Sequence, residues 1–288
     1  MKKYSKMAVD ENGYICTLKK QPIPARYQEL LTSVQSQLLA QYGDRICSIF
    51  IYGSVARGKA TPPKSDLDLC VIFHGNIDNT EALALSKIGE NSLRLYPIVP
   101  KVDFDIASQQ EVLSPNNTNS WGYWLKHHCR IIYGDDLSRY FPLFRPSRAI
   151  ALAVNGDYHT TLLDYIQKMA STDDQATFLK LSKEASKKLI RSTNILRTPN
   201  DTDWPDTLDE HITRLHNKYP ALAHQLPFFM AQIQFATYSK KDFIPHLHTA
   251  ITRLLQADES MKANEKAWPQ LLSGIRPCKQ FTRLLKCY

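Results

Sequence analysis

Between Ala25 and Tyr42 the apolar residues Tyr27, Leu30, Leu31, Val34, Leu38, Leu39 and Tyr42 recur at helical spacing, and Gly43 stands where such a helix would end. An unbroken apolar run follows, Ile46 to Tyr52, rich in β-branched and aromatic residues, which predicts a buried strand. A second strand is predicted across Asp66-Leu67-Asp68-Leu69 and the apolar Cys70 to Phe73. Asp78-x-x-Glu81 has capping-box spacing and opens a helix running to about Leu95, ahead of Pro97. Lys101 to Ile106 then alternates, with Val102, Phe104 and Ile106 on one face of a third strand and Asp103 and Asp105 on the other. Cys129 to Gly134 reads as an edge strand. Prolines around Pro142 to Arg148 mark a boundary, beyond which the pattern is helical: about Ala149–Ala170, Ala176–Leu196, Thr207–Lys218, Ala221–Tyr238 and Asp242–Ala257. The expected fold class is α+β: an N-terminal mixed sheet with flanking helices over 1–147, and an α-helical domain over 148–288.

The stretch from 49 to 73 carries the chemistry. Gly53 ends the first strand and, with Ser54, lets the backbone turn sharply and bring amide groups and a hydroxyl close to a ligand, as anion-cradling turns require. Arg57 adds a donor of bidentate geometry for phosphate. On the next strand Asp66 and Asp68 project to one face while Leu67 and Leu69 enter the core. Two carboxylates held side by side repel each other until a cation intervenes, and hard oxygen ligands suit a Mg²⁺ that also binds substrate phosphates.

Composition changes this picture little. The 288 residues suffice for two domains, and 43% hydrophobic content is ordinary for a globular chain, which argues against disorder. A net charge of +8 favours polyanionic ligands such as nucleoside triphosphates or RNA, and serves equally as colloidal surface charge. The six cysteines (16, 47, 70, 129, 278 and 287) form no CxxC pair, and Cys47 and Cys70 fall in predicted buried strands, so they read as reduced core thiols of a cytoplasmic protein. Neither a signal peptide nor a membrane span is expected.

Gly53-Ser54, Ala56-Arg57-Gly58 and Ser65-Asp66-x-Asp68-Leu69 resemble the signature of the polymerase-β-like nucleotidyltransferases, most closely the small antibiotic-modifying type. The resemblance covers residues 26 to about 145 well, and the remainder only as the general plan of a helical second domain. It implies transfer of a nucleoside monophosphate, AMP from ATP, to an acceptor hydroxyl with release of pyrophosphate. It further implies that Gly53 and Ser54 hold the β- and γ-phosphates, that Arg57 and Ser65 belong to the nucleotide side, and that Asp66, Asp68 and Asp103 carry two Mg²⁺ ions. A two-metal site needs a further carboxylate from a neighbouring strand, and Asp103 takes the family's usual position for it. Asp105 departs from the commonest pattern. Two readings of it stand, a substrate-side base and a residue solvated on an exposed sheet edge.

The acceptor is open between an aminoglycoside-like small molecule and, for a toxin-type enzyme of a toxin–antitoxin pair, tRNA or protein. The Trp121-Gly122-Tyr123-Trp124 segment either stacks on a base or aglycone or packs in the core. Adjacent His127 and His128 point apart and have no third ligand at metal-site spacing. On the helix from Phe178 to Leu196, Lys180, Lys183, Lys187, Lys188 and Arg191 form a basic stripe opposite Ala185, Leu189, Thr193 and Leu196. It reads as a solvated face, or as the source of a lysine, Lys187, that reaches the triphosphate as the resemblance implies. The basic tail from Met261 to Tyr288 contacts RNA or packs on the helical domain.

Overall fold

The computed structural model describes residues 7–19 and 21–266, so the tail beyond residue 266, with Cys278 and Cys287, lies outside the described residues. Among the described residues the chain divides into two compact units, one holding the sheet, from Cys16 to Phe144, and one of helices from Arg145 onward, to which Met7 to Ile15 attach.

In the sheet unit α1 (Ala25–Tyr42) precedes β1 (Ile46–Tyr52), and a single turn α2 (Gly53–Ala56) and a loop lead into β2 (Leu67–Phe73). Helix α3 (Asn79–Leu95) crosses over to β3 (Val102–Ser108); the short α4 (Gln109–Val112), a π-helical turn Thr118–Gly122 and α5 (Tyr123–His128) precede β4 (Arg130–Gly134). The sheet is mixed, in the order β3-β2-β1-β4. β1 runs antiparallel to both of its neighbours and β2 runs parallel to β3. A parallel pair needs a crossover, and α3 supplies it. Its start follows the sequence: the Asp78 carboxylate accepts from the Glu81 amide at 2.8 Å, and the Glu81 side chain accepts from the Asp78 amide at 3.0 Å.

One face of the sheet is covered by α1 and α3. Tyr27, Leu30, Val34, Leu38, Leu85 and Ile88 pack there against Ile49, Ile51, Leu67, Leu69, Val71 and Val102, with Phe104 and Ile106 alongside. The other face carries Asp68, Asp103 and Asp105, and the buried ring of Trp124 reaches it through Tyr52. Covered on both faces, β1 and β2 are buried along their whole length, which is why their sequences read as nearly continuous apolar runs.

In the helical unit α6 (Arg148–Asn155) and α7 (Tyr158–Ser171) replace the single helix expected over Ala149–Ala170, because Asn155-Gly156-Asp157 are poor helix formers. Helices α8 (Gln175–Ser192), α9 (Leu208–Lys218), α10 (Pro220–Ala223), α11 (Leu226–Phe235) and α12 (Lys240–Lys266) follow. Ala236, in the left-handed region at φ 53°, ends α11 before the expected Tyr238. Helix α8 is the centre of this unit. The basic stripe is solvated at one end only: Lys180 is exposed and Lys183 and Lys187 are half-buried, whereas Lys188 and Arg191 are buried, and Lys188 donates to Asp157 at 2.7 Å. Helices α7, α9 and α11 all pack on α8, enclosing its later turns, and the buried Lys188 is neutralised by Asp157 from just before α7. Below it Arg197, fully buried, donates to Asn194 at 2.6 Å, and Arg214 pairs with Asp201 at 2.9 Å. The N-terminal residues were expected with the sheet, over 1–147. Instead the Ala8 amide donates to the Trp204 carbonyl at 3.0 Å, and the Arg145 guanidinium lies 4.3 Å from the Tyr14 ring centre.

Candidate active site

The site is built where β1 ends. Gly53 adopts φ +70°, a conformation that L side chains avoid, so the strand turns directly into α2. The turn is closed by the Arg57 amide on the Gly53 carbonyl at 3.2 Å and the Lys59 amide on the Ser54 carbonyl at 2.9 Å. The leading amides of a helical turn have no acceptor within it, so they are available to an anion. A Cβ on Gly53 would stand 2.2 Å from Asp68 Oδ2. The absent side chain therefore lets the Asp68 carboxylate lie directly against the turn.

Strand register does the rest. Tyr52 pairs with Asp68 across β1 and β2, and Asp68 pairs with Asp103 across β2 and β3, so the three form one row on the face away from α1 and α3. Directly paired positions on neighbouring strands share a face, with backbones about 4.8 Å apart. Asp66 is half-buried and stands just before β2, two residues from Asp68. Asp68 is buried; Asp103 is half-buried and forms an ion pair with Lys101. Among the described residues no three His, Cys, Asp or Glu side chains already stand together as a metal site. The donor set nevertheless fits a hard divalent cation: carboxylates in one row, one of them pressed against a phosphate-type turn.

The remaining predicted residues sit as follows. Ser54 is half-buried in the first turn of α2, and Arg57 is half-buried at its end. Ser65 holds the loop between the two motif halves, its Oγ accepting from the Thr61 amide at 2.9 Å and its amide donating to the Thr61 carbonyl at 3.0 Å. Lys187 lies in the helical unit and donates to Glu184 on its own helix at 3.0 Å. Asp105 is buried rather than solvated, although β3 is an edge strand, and it accepts a hydrogen bond from the Tyr52 hydroxyl.

The aromatic segment packs in the core: Trp121, Tyr123 and Trp124 are all buried, and Trp124 meets Tyr52 edge-on at 5.2 Å. The two histidines are engaged in this packing. His127 Nε2 accepts from the Phe144 amide at 3.1 Å, and His128 Nε2 lies 2.6 Å from the Tyr123 hydroxyl. Burial, reinforced by the nearby Arg57 and His127, holds the His128 pKa well below the ordinary imidazole value, so its ring is neutral. Behind the row the Cys70 thiol is pushed well up by burial and then by the charges of Asp105 and Glu111. Sequence reasoning did not single out Tyr52 or Glu111. Tyr52 carried a signal, as the one strand residue directly before the Gly53 turn; Glu111, on the short α4, had none.

Comparison with known proteins bears on the domain and on the fold. The family model of the nucleotidyltransferase domain matches residues 31–109, from within α1 to the residue after β3. No curated protein matches the chain. Among solved structures, the crystal structure of spectinomycin adenyltransferase AAD(9) from Enterococcus faecialis, with ATP and spectinomycin, is similar with a TM-score of 0.53 and 15% sequence identity, covering 78% of this chain and 98% of that one. At that identity the likeness is one of fold.

Proposed function

We propose that this chain, a nucleotidyltransferase by the domain it carries, transfers AMP from ATP to a hydroxyl of a compact acceptor such as an aminoglycoside-like antibiotic, releasing pyrophosphate. The observation that carries this reading is the Tyr52–Asp68–Asp103 row with Asp68 pressed against the Gly53 turn. A phosphate-type turn and a carboxylate row at one strand end suit a triphosphate whose α-phosphorus faces the acids. The amides after Gly53 and the Ser54 hydroxyl bind the β- and γ-phosphates, Arg57 donates to the same anion, and Ser65 keeps the intervening loop in position. Asp66, Asp68 and Asp103 would hold two Mg²⁺ ions, which when bound lower the acceptor hydroxyl's pKa and neutralise charge developing at phosphorus. AAD(9) is an adenyltransferase solved with ATP and spectinomycin, which favours ATP as donor and a compact hydroxylated acceptor over tRNA or protein. Among the described residues no helix is long and apolar enough to cross a membrane, and the buried thiols Cys47, Cys70 and Cys129 suit a reducing cytoplasm.

Calorimetric titration with ATP tests the nucleotide site. Affinity should rise at least about tenfold when Mg²⁺ replaces chelator, because the acids repel the triphosphate until a cation intervenes. Equal affinity in both buffers would remove the metal-bridged site.

A further inference from the structure

We propose that Tyr52 is a positioning residue for this site, acting through its hydrogen bond to Asp105, and that Asp105 is an internal anchor rather than a base or a metal ligand. The proposal rests on the nucleotidyl-transfer reading above. Tyr52 is the last residue of β1, immediately before Gly53, and Asp105 lies on β3 two residues beyond Asp103. Strands β1 and β3 are not neighbours, since β2 runs between them. The Tyr52 phenol therefore reaches over β2, on the face that carries Asp68, to donate to Asp105 Oδ2, joining residues 53 apart in sequence. Both ends are buried, at 3% and 5% exposure, so the contact is shielded from water. Trp124, itself buried, meets the Tyr52 ring edge-on at 5.2 Å and fixes its direction.

Two consequences follow from this bracing. The strand end that launches the phosphate turn is tied to the strand that carries Asp103, so the turn, Asp68 and Asp103 are held as one unit. Asp105 is also turned towards Tyr52, with the buried Cys70 as its register partner on β2, while Asp103 remains half-exposed on the same strand. Positional errors of about 1 Å among reacting groups cost up to about a hundredfold in rate, so a brace of this kind bears on turnover without touching substrate.

The test uses the full chain and four variants, Tyr52→Phe, Asp105→Ala, Asp105→Asn and the double Tyr52→Phe/Asp105→Ala, with Asp68→Asn as the inactive reference. Pyrophosphate release gives kcat, KM for ATP and the pH profile, and thermal melting is followed in parallel. Tyr52→Phe and Asp105→Ala should each lower kcat about tenfold with KM for ATP within about twofold, and the double variant should lose no more than the worse single, since both remove one contact. Asp105→Asn keeps an oxygen that accepts the phenol proton and should lose no more than about threefold, with the acid limb of the kcat profile where the parent has it. An Asp105→Asn as inactive as Asp68→Asn would overturn the proposal, because the charge itself would then be used on substrate or cation. A Tyr52→Phe that melts lower but turns over like the parent would reduce the contact to fold stability, and multiplying losses in the double would deny that the two act together. If the parent releases no pyrophosphate with any acceptor, the nucleotidyl-transfer reading fails and the positioning role with it. Non-additive melting shifts would then still report separately that the contact exists.

Discussion

Replacing Gly53 with alanine tests the join between the phosphate turn and the carboxylates. At φ +70° an alanine costs roughly 1–2 kcal/mol of backbone strain. The added Cβ would also stand 2.2 Å from Asp68 Oδ2 and 3.1 Å from its Cγ. Ordinary carbon contacts begin near 3.5 Å, so the carboxylate must retreat by more than about 1 Å. A displacement of that size at a reacting centre costs on the order of a hundredfold in turnover. Gly58→Ala provides the control: φ is +68°, nearly the same strain, but the new Cβ would meet only the end of the Gln21 side chain, 2.9 Å away. Both variants should lose about 1–2 kcal/mol, a fall in Tm of a few degrees for a chain of this size. Only Gly53→Ala should lose pyrophosphate release by about a hundredfold or more at saturating ATP. Equal activity in the two variants would refute the claim that Asp68 works from against the turn.

Asp68→Asn and Asp103→Asn should each abolish transfer while the fold persists, and Asp68→Asn should melt no lower in metal-free buffer, because a carboxylate repulsion is relieved; transfer within about threefold of the parent would mean the row is misread. Since burial keeps folded His128 neutral while an unfolded histidine takes up a proton below about pH 6.5, acid favours the unfolded chain. Stability present above that pH is thus lost as pH falls, by up to about 1.4 kcal/mol per unit per group; His128→Gln should give a shallower slope in denaturant midpoints between pH 6.5 and 5, and an unchanged slope would contradict the assignment. His211, also held well below the ordinary value by burial and by Arg191, Arg214 and Arg197, adds a slope of the same sign. Asp201→Ala should cost about 3–5 kcal/mol in urea unfolding, because it takes from the buried Arg214 its buried carboxylate partner and leaves the more exposed Asp203, 3.2 Å from Arg214 Nε; a loss below about 1 kcal/mol would show that Asp203 suffices.

Much of the sheet unit was legible because its signals are local. The apolar run of β1, the alternation of β3 and the capping box of α3 each span a few residues, and each appears where the pattern put it. The carboxylate row was legible in part: the two-residue spacing of Asp66 and Asp68 is in the sequence itself, but the pairing of Asp68 with Asp103 depends on the parallel register made by α3. Asp105 misled because an edge strand is ordinarily wet, and what buries it, Tyr52 backed by Trp124, comes from elements far away in sequence. The basic stripe of α8 was legible at Lys180, which is exposed, but not at its far end. A helical wheel counts charges on one helix, whereas Lys188 and Arg191 are enclosed by the helices that pack around α8, and Lys188 finds its acid at Asp157. The attachment of the first residues to Trp204 leaves no mark in composition at all.

On the proposed reading this chain moves a nucleotide onto a hydroxyl using the Asp66, Asp68 and Asp103 acids. The measurement that tests this most directly is incubation of the parent and Asp68→Asn with ATP labelled at the α-phosphate, Mg²⁺, and separate panels of hydroxylated antibiotics, total tRNA and cell protein. Label should appear on a small hydroxylated molecule, with an equal amount of pyrophosphate, only with the parent and only when Mg²⁺ is present. Charge reversal at Lys180 and Lys183 should leave that labelling intact, whereas RNA binding through them would weaken steeply with salt. Label confined to tRNA or protein would replace the acceptor, and label on no acceptor, or equal labelling by Asp68→Asn, would contradict nucleotidyl transfer by these acids.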